Sequence, residues 1–140
     1  MILLGAIMDR EKIDSLIIYL MAISNLAKDI HYNCKGQNFY GNHLFADRIN
    51  ENLGEYIDQL KEICLLGHGE KPLHSSEYLN RAAKTVPIEP SFSSMSELML
   101  NALMLIETIS ETSKGDDNLL GAIAQDIQNN KGLINIMYGV

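Results

Sequence analysis

The sequence contains few of the residues that mark disulfide-rich, proline-rich or aromatic-rich proteins. Its 140 residues include no tryptophan, two cysteines and three prolines. Cys34 and Cys64 fall near opposite ends of a predicted helix pair, beyond the roughly 7 Å that a disulfide spans between Cα atoms. Few prolines and 46% hydrophobic residues argue against disorder. We therefore expect one folded domain over residues 1–140, with both thiols reduced.

Long apolar segments are also absent. No apolar run approaches the roughly 20 residues that a membrane span requires. The opening MILLGAIM is apolar but short, with no basic residue before it and no small-residue cleavage site after it. The sequence therefore predicts neither a membrane helix nor a signal peptide, and a cytoplasmic location is the expectation.

Basic residues are also few. The chain has 11 Lys and Arg against 18 Asp and Glu, a net charge of −7. Binding to nucleic acid depends on basic side chains that neutralise phosphates, and neither terminus carries a basic tail. The charge balance argues against DNA binding and suits a protein that attracts cations.

Two long helices are predicted for the first half of the chain. Apolar residues at helical spacing follow Asp9 and Asp14, either of which can cap a first helix that ends near Gly36. Asn38 can cap a second helix that continues to Leu66 before two glycines end it. The short link between the two helices predicts an antiparallel hairpin.

Two further helices are predicted after a long connection. Residues 67–93 hold all three prolines and a stretch, SSEYLNRAAK, that can form a short helix capped by Ser76. Four helices with a long crossover between the second and third describe an all-α, ferritin-like four-helix bundle. The third helix is apolar almost all round, which favours either a central core helix or assembly beyond a monomer. We predict the third helix from about Ser94 or Ser96, a break at 115–117 and the fourth helix over 118–137.

Two pairs of potential metal ligands lie on the second helix. His43 and Asp47 are four residues apart, as are Asp58 and Glu62, so the members of each pair share a helix face. If residues 39–66 form one helix, the two pairs are separated by about 22 Å. One small metal site cannot use both pairs of a single chain.

A two-fold axis near the middle of this helix would unite the pairs. Residue numbers 43 and 62 sum to 105, as do 47 and 58, so an antiparallel copy would set His43 beside Glu62 and Asp47 beside Asp58 of that copy. His31, at the end of the first helix, lies across the predicted turn from His43. The pattern predicts two half-sites completed by dimerisation.

Simpler interpretations exist for these residues. His31 extends the apolar stripe of the first helix and can be a core or interface residue. Asp47, Glu51, Asp58 and Glu62 can form a solvated acidic face. If they bind metal, imidazole and carboxylate donors suit iron or manganese, and zinc binds the same set without redox chemistry. No Glu stands three residues before a His, which argues against a di-iron motif within one subunit.

The remaining polar candidates receive structural interpretations. His68 and His74 lie in the Gly- and Pro-rich connection and are predicted to be surface residues. Asp116 and Asp117 are predicted to be turn and cap residues, with lining of an ion path as the alternative. The methionines are predicted to fill the core.

The stretch HYNCKGQNFYGNHLFADRINENLGEYIDQLKEICLLGHGEKP combines several motifs. It contains His-aromatic-Asn-x-x-Gly-x-Asn-Phe, His-x-x-x-Asp and Asp-x-x-x-Glu, followed by Leu-Gly and Pro. With SEY at residues 76–78 and the closing GDDNLLGAIAQDIQ, it closely resembles the DNA-protection-during-starvation (Dps) family, the mini-ferritins. The resemblance implies that ferrous iron is bound by the following residues, the last two from a two-fold partner: His31, His43, Asp47, Asp58 and Glu62.

The resemblance also implies an activity and an assembly. It implies a hollow dodecamer that oxidises ferrous iron, preferentially with hydrogen peroxide, and stores ferric mineral. Tyr32 replaces the tryptophan of many members, and the stretch from residue 95 to 115 is shorter than is usual. Asp116, Asp117 and Asp126 are candidate pore residues. The Lys-rich tail that lets some members bind DNA is missing.

Two rival functions come from other classes. A structural or interaction protein could keep the Dps-like shell without iron oxidation. A DNA-protecting nucleoid protein is the second rival, against which the charge of −7 counts. The favoured prediction is a cytoplasmic ferroxidase and iron-storage protein, for which zinc or manganese are competing metals.

Overall fold

Helices account for all the regular structure in the computed structural model, which describes residues 9–110 and 112–140. No strand occurs among those residues, and the opening MILLGAIM lies outside them. The all-α prediction is confirmed. The elements are α1 Arg10–Asn33, α2 Phe39–Asn50, α3 Leu53–Glu62, a π-helix Ile63–Gly67, α4 Ser75–Thr85, α5 Phe92–Glu107 and α6 Lys114–Tyr138.

Helix α1 is the central element, because its apolar residues face several neighbours. Leu16, Leu20 and Ile23 are almost fully buried, and α1 packs against α2, α3, α4 and α5. Helix α6 completes the bundle by packing on α5 and α3. No helix in the described part of the chain is long and apolar enough to cross a membrane.

The ends of α1 follow the sequence signals. The Asp9 carboxylate accepts a hydrogen bond from the Lys12 backbone N–H at 3.3 Å, so Asp9 is the N-cap. Asp14, the alternative, is buried one turn further on. Gly36 has a φ of 89°, a conformation that glycine adopts without steric cost, in the turn that leads into α2.

The predicted single helix over 39–66 is wrong in two places. It is interrupted between Asn50 and Leu53, and its last turn is the π-helix. Two side-chain contacts with other helices lie at the interruption: Asn52 donates to the Asp126 carboxylate at 3.3 Å, and Ser24 donates to the side-chain oxygen of Asn50. Asparagine is a weak helix former whose amide readily bonds elsewhere.

Four other predicted boundaries and caps also differ from the structure. Asn38 makes no side-chain capping bond. His74 caps α4 in place of Ser76, because its Nδ1 accepts from the Ser76 backbone N–H at 3.1 Å. Ser91 and Ser113 cap α5 and α6, so both helices begin earlier than predicted. Residues 115–117 therefore form the first turn of α6 rather than a break.

Candidate metal centre

The turn between α1 and α2 brings His31 and His43 into contact. Their rings stack with centroids 3.5 Å apart and planes inclined by 23°. The ring of Phe39 stacks on His43 at 5.0 Å, and the ring of Tyr32 meets His31 edge-on at 4.9 Å. Two histidines that are 12 residues apart in sequence thus form one surface cluster.

Reciprocal hydrogen bonds fix the orientation of the two rings. Nδ1 of His31 lies 3.1 Å from the backbone oxygen of His43, and Nδ1 of His43 lies 2.9 Å from the backbone oxygen of His31. A carbonyl oxygen only accepts, so each Nδ1–H donates, and in this tautomer the unprotonated nitrogen of a neutral ring is Nε2. Metal-binding histidines typically use this arrangement to fix the tautomer.

Asp47 lies beside the two rings. One of its oxygens is 3.2 Å from Nδ1 of His31 and 3.9 Å from the Lys28 ammonium. The carboxylate is about half exposed, so it can rotate towards a metal ion without breaking buried contacts. The structure therefore brings together the three residues of the predicted half-site.

Asp58 and Glu62 are exposed on α3 and remain apart from this cluster. No hydrogen bond or ion pair joins either carboxylate to another side chain within 9–110 and 112–140. Over the same residues, no three His, Cys, Asp or Glu side chains are arranged to hold a metal ion within one chain. A single chain presents two incomplete donor sets, one at the turn between α1 and α2 and one on α3.

Comparison with known proteins gives a structural match. No known family model matches the sequence, and no curated protein matches it. The structure matches a crystal structure of a Dps protein from Vibrio cholerae O1, a member of a broad superfamily of ferritin-like diiron-carboxylate proteins. The TM-score is 0.60 at 19% identity, over 91% of this chain and 86% of the other. The chain has the ferritin-like fold. This matching structure is a Dps protein, from the family that the sequence motifs resemble.

The ferritin-like bundle contains a second histidine cluster that sequence reasoning missed. His68, predicted to be a surface residue, places Nε2 2.7 Å from a carboxylate oxygen of Asp116. Their side chains are only 4% and 9% exposed, and Nδ1 of His68 has no hydrogen-bond partner among the described residues. Asp116 joins the start of α6 to the end of the π-helix. The two residues are 48 positions apart in sequence, and no local signal predicts that they pair.

A buried polar network adjoins this pair. The Tyr78 hydroxyl donates to Asp14 at 2.7 Å, and Arg10 donates to the same carboxylate at 3.1 Å. Cys64 lies one turn before His68 in the π-helix, and burial raises the pKa of its thiol to about 11. These contacts tie the start of α1 to α4 and explain why Asp14 is buried.

The other predicted roles have mixed outcomes in this ferritin-like chain. His74 is exposed, as predicted. Asp126 accepts a hydrogen bond from Asn52 across the bundle and another from Asn130 one turn along α6. Met95 and Met99 are buried as predicted, but Met104 and Met137 are exposed and do not fill the core.

Proposed function

We propose that the protein is a ferroxidase and iron-storage protein whose iron sites form between two-fold-related subunits. The observation that carries this proposal is the geometry of His31 and His43, whose Nδ1 atoms are both engaged so that both Nε2 atoms are available to a metal. Asp47 supplies an oxygen from the same subunit. Asp58 and Glu62 of the second subunit complete the site.

Ferrous iron is the substrate in this proposal. Two ferrous ions give up two electrons, and one hydrogen peroxide with two protons is reduced to two waters. Holding two irons between the subunits supplies both electrons together, without release of a hydroxyl radical. The chain's donors bind and orient the ions, and its net charge of −7 favours their approach.

Further assembly follows from the same proposal. Leu100 and Met104 are exposed on α5, which is otherwise strongly apolar. Burying them against other subunits would remove apolar surface from water. We propose a homo-oligomer built from two-fold dimers, a dodecamer as in the family it resembles, that stores ferric mineral in the cytoplasm.

Iron oxidation by the purified protein tests the activity. Ferrous iron is added without oxygen, peroxide is titrated in, and the ultraviolet absorbance of the ferric product is followed, with air oxidation as the comparison. We expect saturable oxidation that consumes about two irons per peroxide and is faster with peroxide than with air. A rate equal to that of buffer would contradict the proposal.

Mixing two inactive variants tests whether the site lies between subunits. His43→Ala and Glu62→Gln each remove one donor from every site, so each homo-oligomer should be inactive. In a mixed dimer one site lacks both donors and the other is complete. Random mixing should therefore restore about a quarter of the wild-type activity. A mixture that stays inactive would mean that the site lies within one subunit.

The rival functions are separated by the same measurements. A shell without ferroxidase activity is favoured by the lack of a complete three-ligand group in the described residues of one chain, and it predicts assembly with no saturable oxidation. A DNA-protecting function predicts a shifted DNA band at low salt. We expect no shift, because the chain has a net charge of −7.

A further inference from the structure

The π-helix begins directly after Glu62, one of the predicted iron ligands. It covers Ile63–Gly67, and Glu62 is the residue at its N-terminal end. π-helices are rare, and they appear mostly as single turns inside α-helices, frequently at functional sites. The contact that holds this turn therefore bears on how the ligand is presented.

The π-helix changes which residue reaches the buried face after Leu60. In a regular α-helix the residue seven positions further on returns to the same face within about 20°, and here that residue is Gly67. The structure instead exposes Gly67 and encloses the side chain of His68, which is 4% exposed. Cys64, midway between Leu60 and His68, is also buried. The wider turn of the π-helix, with its i→i+5 bonds, accommodates one more residue and so brings His68 inward.

Burial of apolar side chains does not explain this arrangement. Leu65 and Leu66 lie within the π-helix and are 42% and 78% exposed, whereas the polar His68 is enclosed. The usual preference is the reverse. The buried imidazole gains a hydrogen bond instead, because its Nε2 lies 2.7 Å from a carboxylate oxygen of Asp116. Hydrogen bonds to a charged group are stronger than those between neutral groups. This bond is therefore the contact that offsets the exposure of two leucines.

Asp116 is a fixed attachment point for the imidazole. Its backbone N–H donates to the Ser113 hydroxyl at 3.1 Å, which caps α6. Its side chain is only 9% exposed. Helix α6 is 25 residues long and packs on α5 and α3, so the bundle anchors its first turn. The five-residue π-helix is therefore tied to a much larger element.

The chain that follows the π-helix is held separately. Arg10 donates to the Glu70 carboxylate at 3.1 Å and to the Lys71 carbonyl. Loss of the imidazole–carboxylate bond would therefore be taken up before the π-helix, at the end of α3 that carries Glu62. A slip of one residue turns a helical side chain by about 100°. The direction of Glu62 thus depends on the register of the turn that follows it.

Glu62 also has room to turn. Together with Gly67 and Asp116 it lines a surface groove of about 520 Å³. Its side chain is exposed and makes no hydrogen bond or ion pair within residues 9–110 and 112–140. The backbone that carries Glu62 therefore sets the direction of its carboxylate, and that backbone leads into the π-helix.

We propose that the buried His68–Asp116 bond holds the π-helix in register and thereby directs the Glu62 carboxylate into the iron site. The inference rests on the proposed two-fold site and adds to it a contact that orients one ligand. His68 and Asp116 are positioning residues, because neither belongs to the proposed donor set. Without their bond, the half-site on α3 loses one of its two carboxylates.

Zinc affinity in a double-mutant cycle tests the coupling, because zinc binds the same donors without redox chemistry. The assembled protein is titrated as the natural chain, Asp116→Ala, Glu62→Gln and the double variant. We expect each single substitution to weaken zinc binding about tenfold, as loss of an outer contact does at metal sites. The double variant should bind no more weakly than Glu62→Gln alone. Additive losses would mean that Asp116 acts elsewhere, and they would overturn the proposal.

Two further variants separate positioning from general stability. Asp116→Asn keeps an oxygen that accepts from Nε2 of His68, so zinc affinity should stay within about twofold of the natural value. Met99→Ala opens a cavity beneath α5, which packs on α1 and α6, and should lower stability without changing zinc affinity. The proposal is wrong if Met99→Ala weakens zinc binding as Asp116→Ala does, or if Asp116→Asn binds no better than Asp116→Ala.

Hydrogen exchange without metal tests the structural step alone. The amides of residues 63–68 should exchange at least about tenfold faster in Asp116→Ala than in the natural chain, because the turn opens locally. The amides in the middle of α1 should keep their protection, and Asp116→Asn should behave as the natural chain does. Equal protection of residues 63–68 in Asp116→Ala would show that the bond does not hold the π-helix.

The outcomes distinguish this proposal from the proposed function. If the cycle shows coupling but the natural chain does not oxidise iron, the positioning stands and the ferroxidase proposal fails. If iron is oxidised and Asp116→Ala leaves zinc affinity unchanged, the positioning is wrong and the iron site stands. If Glu62→Gln itself leaves zinc affinity unchanged, Glu62 is not a ligand, and both the two-fold donor set and this inference fail.

Discussion

Two histidine clusters of this chain contain the same residue types but differ in their exposure to solvent. The open cluster consists of His31, His43 and Asp47 on the surface of the α1–α2 hairpin. The closed cluster consists of His68 and Asp116, buried between the π-helix and α6. Both combine imidazole with carboxylate, but in the open cluster the two Nε2 atoms have no hydrogen-bond partner among the residues that the structure describes.

The difference lies in which ring nitrogen is engaged. In the open cluster both Nδ1 atoms are occupied by backbone oxygens, and the outer nitrogen atoms are left for a ligand. In the closed cluster Nε2 of His68 is occupied by Asp116, and the remaining Nδ1 is buried with no partner in the described part of the chain. The open cluster is suited to binding, whereas the closed cluster joins two elements of the fold.

Breaking the closed cluster should have the largest effect on stability. Asp116→Ala leaves the buried His68 without its partner, which we expect to lower the free energy of unfolding by about 3 kcal/mol. Asp117→Ala is the matched control, because Asp117 is exposed in the same helical turn. Urea denaturation of both variants at one protein concentration measures the difference. Equal losses would show that only the charge at the start of α6 matters.

Breaking the open cluster should have a large effect on iron oxidation and a small effect on stability. His43→Ala should slow peroxide-driven iron oxidation on the order of 100-fold, because loss of a direct ligand exceeds the effect of losing a supporting contact. The unfolding midpoint should move little, since the ring is partly exposed. Stopped-flow absorbance and urea denaturation measure the two quantities, with Lys84→Ala, on the exposed end of α4, as the control. An unchanged rate would remove His43 from the site.

Local signals predicted the helices better than they predicted the interruptions. Asp9 and Gly36 mark the ends of α1 through bonds and dihedral angles that involve only nearby residues. At the break before Leu53, by contrast, Ser24 and Asp126 contact the segment from other helices. Spacing along one helix cannot reveal such contacts.

The two histidine clusters also differ in whether the local sequence predicts them. His31 and His43 were predicted to meet because a short hairpin turn brings the helix ends together. His68 and Asp116 meet only because the whole bundle places the start of α6 beside the π-helix. The placement of Asp58 and Glu62 in an iron site stays a prediction, because it depends on a second subunit.

One cysteine lies beside each histidine cluster, so the reactivity of the two thiols can be compared directly. Cys34 is partly exposed and its thiol donates to the His31 carbonyl, whereas Cys64 is buried beside the closed cluster. Because burial raises the pKa of Cys64 to about 11, little reactive thiolate forms there below pH 10.

Alkylation with iodoacetamide at pH 8 should therefore modify Cys34 at least about tenfold faster than Cys64. Peptide mass spectrometry against time measures both rates in one sample. In urea the difference should vanish, which shows that the fold protects the thiol. Similar rates in the folded protein would mean that the closed cluster opens readily.

The smallest effect concerns the charge beside the open cluster. Lys28 places its ammonium 3.9 Å from an oxygen of Asp47, and both side chains are about half exposed. The pair should contribute well under 1 kcal/mol to stability, because water screens exposed ion pairs. A divalent cation bound to Asp47 must nevertheless overcome repulsion from the lysine charge.

Lys28→Met keeps the length of the side chain and removes that charge, so it should tighten cation binding about two- to threefold at low salt. Titration with zinc, which has no redox chemistry, measures affinity apart from oxidation. The gain should shrink as salt is raised, because screening weakens the repulsion in the natural chain. Lys84→Met, on the exposed end of α4, controls for a general change in net charge. An equal gain in that control would mean that Lys28 acts only through the total charge, and the ion pair with Asp47 would have no part in setting the affinity of the open cluster.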